Sequence, residues 1–333
     1  QRPLRDLRIS VTDRCNFRCP YCMPAEIYGE RYEFLPRADI LTFEEIARFT
    51  RLFTSLGASK VRLTGGEPLI RADVCQLIGM LRAIPEVEDL TLTTNGYLLE
   101  KFADQLVDAG LRRITVSLDS LDEDVYKQMN GRNFGTEPVL KGIAAAERAG
   151  LSPIKINAVV EKGVNDHKLV DLAKHFKGSG HILRFIEFMD VGNLNSWNMD
   201  RVVPARDIIA AIGAEMSLEP VEPNYVGEVV RRWRYVDGDG EVGVITSVTE
   251  PFCGECTRAR LSTDGKLVTC LFAEGGIDLR GPMRAGASDE GLLDLISSTW
   301  RNRVDRYSEE RTAILKSGVE RPAKKIEMYQ IGG

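Results

Sequence analysis

The chain has 333 residues, room for one large α/β body and a smaller appendage at ~150 residues per domain, and its 43% hydrophobic and 28% charged residues exclude disordered, collagen-like and coiled-coil readings. Its 44 Lys and Arg against 49 Asp and Glu leave a net charge of −5, which argues against nucleic acid as the main partner. No stretch approaches the ~18 apolar residues of a transmembrane helix, and the opening Gln1-Arg2-Pro3-Leu4-Arg5-Asp6 lacks a secretory apolar core, so the expectation is a cytoplasmic protein with no membrane partner.

From Leu7 to about Met189, short β-branched runs alternate with amphipathic stretches, the rhythm of a parallel sheet wrapped in helices. Six strands are predicted, at Leu7 to Thr12, Ser59 to Leu63, Asp89 to Thr93, Arg112 to Ser117, Pro153 to Val159 and His181 to Phe188. Helices are expected between them. One runs from Thr42 to Ser55, with Ile46, Phe49, Leu52 and Phe53 on one face and a Thr42/Glu45 capping box at its start. Another runs from Ala72 to Leu81, with Val74, Leu77, Ile78 and Leu81 on its apolar stripe.

Side chains on a strand alternate between faces, so period-two counting separates two surfaces. One is apolar: Leu7, Ile9, Val11; Val61, Leu63; Leu90, Leu92; Ile114, Val116; Ile154, Ile156. The other is polar and partly cationic: Arg8, Ser10, Thr12; Lys60, Arg62, Thr64; Thr91, Thr93; Thr115, Ser117; Lys155, Asn157. An ordinary eight-stranded barrel packs apolar layers into its lumen. Here the interior would be wet and basic, which calls for an anionic ligand because buried unpaired charge is costly. The alternative is a sheet with one solvated face, less usual in β/α chains.

Loops at the carboxyl ends of these strands carry chemistry, where α/β barrels keep their active sites. The loop after the first strand reads Asp13-Arg14-Cys15-Asn16-Phe17-Arg18-Cys19-Pro20-Tyr21-Cys22, that after the second Thr64-Gly65-Gly66-Glu67-Pro68, and that after the fourth Leu118-Asp119-Ser120. Seven cysteines divide into the triad Cys15/Cys19/Cys22, the triad Cys253/Cys256/Cys270, and Cys75, which reads as a packing residue. In a chain without a secretory signal, tight spacing points to metal rather than disulfides. Three thiolates can hold three irons of a [4Fe-4S] cluster and leave the fourth iron open. Zinc prefers four ligands, and the only histidines, His167, His175 and His181, lie far from the first loop in sequence. For the second triad the alternative is a structural zinc ribbon, but the C-terminal segment holds no fourth Cys or His. Glu67 and Asp119 also have a plain reading as turn residues.

The CxxxCxxC loop, with Tyr21 between its last two cysteines, is identified as the motif of the radical S-adenosylmethionine superfamily, and Gly65-Gly66-Glu67-Pro68 resembles that superfamily's methionine-binding loop. Both triads together, Arg258 and Arg260 after the second CxxC, and the ending Ile331-Gly332-Gly333 resemble the molybdenum cofactor biosynthesis protein A family, the GTP 3′,8-cyclases, from about Leu4 to Gly333. Thr257 departs from the Asn often found there.

The resemblance implies an α/β fold, an incomplete (β/α)6 barrel of TIM type closed by a C-terminal segment with antiparallel strands at Glu228 to Tyr235, Glu241 to Ser247 and Lys266 to Cys270. Residues 1–220 would form the barrel with the first [4Fe-4S] cluster. Residues 221–333 would carry the second cluster and the Gly-Gly tail, with the Asn- and Pro-rich 190–225 as a link. S-adenosylmethionine would contact Tyr21, Gly66, Glu67, Ser117 and Met189. GTP would sit at the second cluster against Arg8, Arg62, Thr93, Lys155, Arg258 and Arg260, with Lys60 and Arg184 as further candidates. Arg258, Arg260, Gly332 and Gly333 are the expected catalytic residues. The implied reaction is radical cyclisation of GTP to 3′,8-cyclo-7,8-dihydroguanosine triphosphate, the first step of molybdenum cofactor biosynthesis. It needs an electron donor and a downstream pyranopterin-forming protein, and the sequence admits a homodimer without requiring one. A peptide maturase of the same superfamily is the alternative enzyme, though such enzymes usually carry more C-terminal cysteines. A non-catalytic iron-sulfur protein is the third reading, and it would leave the glycine loop and the basic strand face idle.

Overall fold

The computed structural model describes residues 2–225, 227–317 and 325–332, so Gly333 lies outside the described residues. The strands of the first half are β1 (Asp6–Ser10), β2 (Lys60–Thr64), β3 (Asp89–Thr94), β4 (Arg113–Ser117), β5 (Ile154–Val160) and β6 (Ile182–Glu187), each within two residues of its predicted bounds. Between them lie α1 (Phe43–Ser55), α2 (Val74–Arg82), α3 (Leu99–Asp108), α4 (Glu123–Asn130), α5 (Glu137–Arg148) and α6 (Leu169–Phe176). Thr42 and Glu45 close the predicted capping box on α1, and the stripes read from sequence on α1 and α2 are the buried ones. Every residue of the apolar strand face is buried and joins one core cluster beneath the helices.

The segment expected to link the two parts contains α7 (Ala205–Glu215) and β7 (Leu218–Val221). Pro204 sits at the N-cap of α7, where its missing N–H costs nothing, and Glu187 accepts the Ala205 N–H at 2.9 Å, so a stretch that opens on Asn and Pro still nucleates a helix. Beyond it come β8 (Val230–Tyr235), β9 (Glu241–Ile245), β10 (Arg258–Leu261), β11 (Lys266–Val268) and β12 (Ile277–Asp278), then α8 (Arg280–Arg284), α9 (Asp289–Arg301), α10 (Tyr307–Ser317) and α11 (Met328–Ile331). Strand β10 was not expected: four residues with two arginines give too short an apolar alternation to register.

The twelve strands of the described residues form one sheet in the order β12-β11-β10-β1-β2-β3-β4-β5-β6-β9-β8-β7. From β10 through β1 to β6 and on to β9, neighbours are parallel, and the outer pairs are antiparallel. The C-terminal third thus supplies strands to both flanks of the first six. In a flat sheet β10 and β6 would stand about 29 Å apart at ~4.8 Å per strand. Yet Arg258 and Arg260 on β10 and Arg184 on β6 line one cavity, so the sheet curls with its polar face inward. No helix among the described residues is long and apolar enough to cross a membrane.

Candidate active site

The concave face encloses a cavity of about 390 Å³, within the usual range for a small-molecule site. Its wall includes Arg8, Lys60, Arg62, Thr93, Lys155, Arg184, Met189, Arg258 and Arg260, together with Cys253, Cys256 and Cys270. Strand register explains how charge is distributed there. One row across the sheet reads Arg258, Asp6, Lys60, Asp89, alternating in sign, and Lys60 Nζ lies 3.6 Å from Asp6 and 3.9 Å from Asp89. The next row reads Arg260, Arg8, Arg62, three guanidinium groups abreast. Like charges directly opposite each other repel. Burial, followed by Arg258 and Arg62, pulls Arg8 down to about 9, and burial, followed by Arg184 and Arg113, pulls Arg62 to about 9. Lys155 falls to about 7 through burial and then Arg184, Arg113, Lys60 and Arg62. Such a wall is suited to a polyanion, and Lys60, like Arg113 beside Asp89, is already offset by carboxylates.

Neighbours hold these cations in place. Arg62 donates to Thr93 Oγ1 at 2.7 Å and to Thr115 Oγ1 at 3.0 Å, and Arg184 donates to Asn157 Oδ1 at 3.0 Å. Arg184 is buried. Arg258 lies over the Phe252 ring at 5.0 Å. Arg260 is directed elsewhere: it donates to the carbonyl of Gly332 and, at 3.4 Å, to that of Ile331.

The second triad sits within this wall. Arg2 donates to the Cys253 carbonyl at 2.9 Å and Arg303 to the Cys256 carbonyl at 3.2 Å, while Asp305 pairs with Arg303 at 2.7 Å. Burial pushes the Cys256 thiol up, but Arg258, through its charge and its backbone N–H, and Arg303 outweigh burial and bring it down to about 6. Burial holds Cys270 up at about 11. Thr257, at the departure from the family pattern, bonds Asp6 Oδ2 at 2.8 Å, and its carbonyl accepts the Arg5 and Asp6 N–H groups, so this residue fastens β10 to β1. Arg2, Arg303 and Asp305 escaped the sequence reading because they lie far along the chain from the cysteines they support and belong to no periodic pattern.

The first triad occupies the loop after β1, at the carboxyl edge of the sheet. All three thiols are half-buried. Burial raises each of them, Cys15 to about 12; Glu67 adds to the rise at Cys15, Cys15 to that at Cys22, and both Cys15 and Cys22 to that at Cys19. Three thiols whose ionised forms would repel one another suit a shared cationic group. The Phe17 N–H at 3.4 Å and Asn95 Nδ2 at 3.9 Å point at Cys15 Sγ, ready to stabilise a thiolate. Among the described residues no three His, Cys, Asp or Glu side chains gather as ligands of a single metal ion, and three thiols are a donor set that an iron-sulfur cluster accepts, each thiolate taking its own iron. Both triads fit such a group.

The glycine loop packs against this one. A Cβ on Gly65 would overlap the Thr12 carbonyl and one on Gly66 the Arg14 carbonyl, so the glycines are required first for contact with the cysteine loop itself. Glu67 is more than a turn residue: its buried carboxylate accepts from Thr94 Oγ1 and the Asn95 N–H at 2.7 Å each, and from the Leu69 N–H at 3.0 Å. Burial pushes it up to about 7. Asp119 accepts Tyr21 Oη at 2.7 Å and the Val159 N–H at 2.8 Å, and burial pushes it up to about 6. Ser117 ends β4 beside Asn157. Tyr21 and Met189 pack with Phe188, Trp197 and Val248. Met189 also reaches the cavity wall and so connects the two regions. Cys75 packs on the main core.

The C-terminal tail enters the same face. Helix α11 lies on β1, the Tyr329 carbonyl is 3.4 Å from Ser10 Oγ, and Gly332, at φ 69°, sits where a Cβ would overlap the Thr64 side chain. Tyr329 packs in one cluster with Cys15 and Cys22.

Comparison with known proteins follows these features. Residues 9–176 match the family described as Radical SAM superfamily, and residues 181–309 the one described as Molybdenum Cofactor Synthesis C. The chain is 50% identical over 352 aligned positions to the GTP 3′,8-cyclase of Acidothermus cellulolyticus, covering 100% of this chain and 97% of that protein. It is 47% identical over 333 positions to the GTP 3′,8-cyclase of Staphylococcus aureus strain Mu3, again covering 100% and 97%. Among solved structures, Streptococcus suis SuiB bound to S-adenosylmethionine superposes with a TM-score of 0.58 at 16% identity, over 81% of this chain and 60% of SuiB. At that identity the likeness speaks for the fold alone.

Proposed function

The chain belongs to the GTP 3′,8-cyclase family of the radical S-adenosylmethionine superfamily, and from that premise we propose that its two cysteine triads divide the reaction, the first serving S-adenosylmethionine and the second GTP. The protein is an enzyme that converts GTP to 3′,8-cyclo-7,8-dihydroguanosine triphosphate, on the path to the molybdenum cofactor. Membership brings an iron-sulfur cluster and S-adenosylmethionine with it. When bound, these supply the radical chemistry that joins C3′ of GTP to C8.

Cys15, Cys19 and Cys22 would hold the first cluster. Tyr21, Gly66, Ser117 and Met189 would contact S-adenosylmethionine, with Glu67 and Asp119 bracing the loops that present it. Cys253, Cys256 and Cys270 would hold a second [4Fe-4S] cluster. The observation that carries this reading is the single cavity in which that triad faces Arg8, Arg62, Lys155, Arg184 and Arg258. Guanidinium forks grip phosphate oxygens bidentately, and a ligand fixed at both its base and its phosphates presents one edge of its ribose. The curled sheet would be an incomplete (β/α)6 barrel, residues 1–220, flanked by strands of residues 221–333. Gly332, held by Arg260, would bring the tail against the substrate, with Gly333 beyond it.

The test is anaerobic incubation of reconstituted enzyme with GTP, S-adenosylmethionine and reductant. A cyclised product that requires GTP supports the reading, and 5′-deoxyadenosine formed without any change in GTP contradicts it.

A further inference from the structure

Met189 lines the cavity, yet the residue after it faces away from the cavity into a buried ionic cluster. Asp190 Oδ1 receives Arg311 Nε at 2.8 Å, Oδ2 receives Lys325 Nζ at 3.3 Å and the Tyr307 hydroxyl, and the Asp190 carbonyl receives Lys325 Nζ at 3.1 Å. All three charged side chains are 2% exposed. Arg311 also donates to the Ser247 carbonyl at 3.0 Å and lies 4.9 Å from the centre of the Phe272 ring, and Ser247 and Phe272 both belong to the cavity wall.

Asn193 continues the contact. Its Nδ2 donates to the Lys325 carbonyl at 2.8 Å, its Oδ1 accepts the Lys325 N–H at 3.0 Å, and its own N–H meets Glu327 Oε1 at 3.0 Å. Gly192, at φ 64°, lies where a Cβ would overlap the Glu327 carboxylate. Residues 190–193 therefore grip the tail at Lys325 and Glu327, five to seven residues before Gly332 reaches Arg260 and Thr64.

We propose that Asp190 is a positioning residue, the seat that sets the depth to which the C-terminal tail enters the active site and ties it to the Met189 wall. The proposal rests on the tail having the role in cyclisation given above. Two cations converge on one buried carboxylate, so removing its charge takes a charged partner from each of them. The tail then loses its anchor, whereas the strands and both triads keep their own contacts.

Hydrogen exchange at residues 328–332 of the full-length chain, without cofactor, reads the seat directly. In Asp190→Asn, exchange there should quicken by about tenfold or more, the loss of a charge-assisted hydrogen bond, while β1 to β6 stay protected. Asn193→Ala, at an exposed position, should do the same more weakly and guards against a fold that fails for another reason. In loaded enzyme, both variants should keep forming 5′-deoxyadenosine and lose cyclised GTP. Unchanged exchange in both variants overturns the proposal. If the tail is freed but cyclisation persists, deletion of Gly332 and Gly333 separates the causes: a deletion that abolishes cyclisation refutes the positioning role alone, and a harmless deletion refutes the tail's role on which it rests.

Discussion

Cys15, Cys19 and Cys22 are surrounded by acids and aromatic rings, with Glu67, Asp119 and Tyr21 close by, and all three thiols are pushed upward. Cys253, Cys256 and Cys270 are surrounded by Arg2, Arg258 and Arg303, and Cys256 is drawn down to about 6 despite its burial. The first group has backbone and amide donors aimed at sulfur, and the guanidinium beside it, Arg18, which donates to the Cys15 carbonyl at 2.7 Å, does not overcome burial and Glu67. The second opens on a cavity whose cations repel one another. Two triads of the same chemistry thus have different surroundings: one lies beside an elaborate loop scaffold that leaves all three thiols raised, the other beside a cationic cavity wall that draws Cys256 down while burial keeps Cys270 up.

If that division is right, mutations on the two sides fail in different ways. The largest effect is expected at Cys15→Ala, which should abolish S-adenosylmethionine cleavage and lower iron from about eight to about four per chain, because that triad has no spare ligand. Iron and 5′-deoxyadenosine assays check it. Stoichiometric zinc in protein purified anaerobically would break the comparison altogether.

Next in size is the tail, which lies between the two sides. Gly332→Val should cut cyclisation sharply while iron content and thermal stability hold, since the obstacle is the Thr64 side chain. A valine variant cyclising GTP at the parental rate makes Gly332 a frayed end.

A smaller effect is expected from the cavity cations. Arg62→Ala or Arg258→Ala should weaken GTP binding by about 10- to 100-fold, one charge-assisted hydrogen bond of about 1.5–3 kcal/mol, and leave S-adenosylmethionine binding nearly unchanged. Equal losses for both ligands would assign these residues to the fold.

The mildest effect is on pH. Lys155 titrates near 7 before an anion arrives, and a bound polyphosphate raises it. Below pH 7 the lysine is already charged in both states. Above it, binding must take up a proton, so GTP affinity should fall as pH rises, by up to about tenfold per pH unit until the bound-state value is reached. Calorimetry at pH 8 in two buffers of different ionisation enthalpy should show that uptake, and none in Lys155→Met.

How much of this was legible depends on distance along the chain. Period-two counting separated Leu7, Val61 and Ile154 from Arg8, Arg62 and Lys155, because alternation is a local property. It could not show that Lys60 is offset by Asp6 and Asp89, which depends on strand register. The cysteine spacing marked both triads, but Arg303 and Arg2, which support the second, come from the far ends of the chain. The glycine loop resembles a methionine-binding loop in sequence, whereas its tightest contacts, with Thr12 and Arg14, depend on how two loops far apart in the chain pack together. Helix α7 was hidden by the Asn- and Pro-rich run before it, whose proline is an N-cap rather than a breaker.

The division of labour is tested most directly by Cys256→Ala, with 5′-deoxyadenosine and cyclised GTP measured in the same anaerobic reaction. The account predicts that 5′-deoxyadenosine continues to form while cyclised product disappears, because the first triad is untouched and the purine has lost its anchor. Cyclisation at the parental rate would contradict it and make the second triad a structural element.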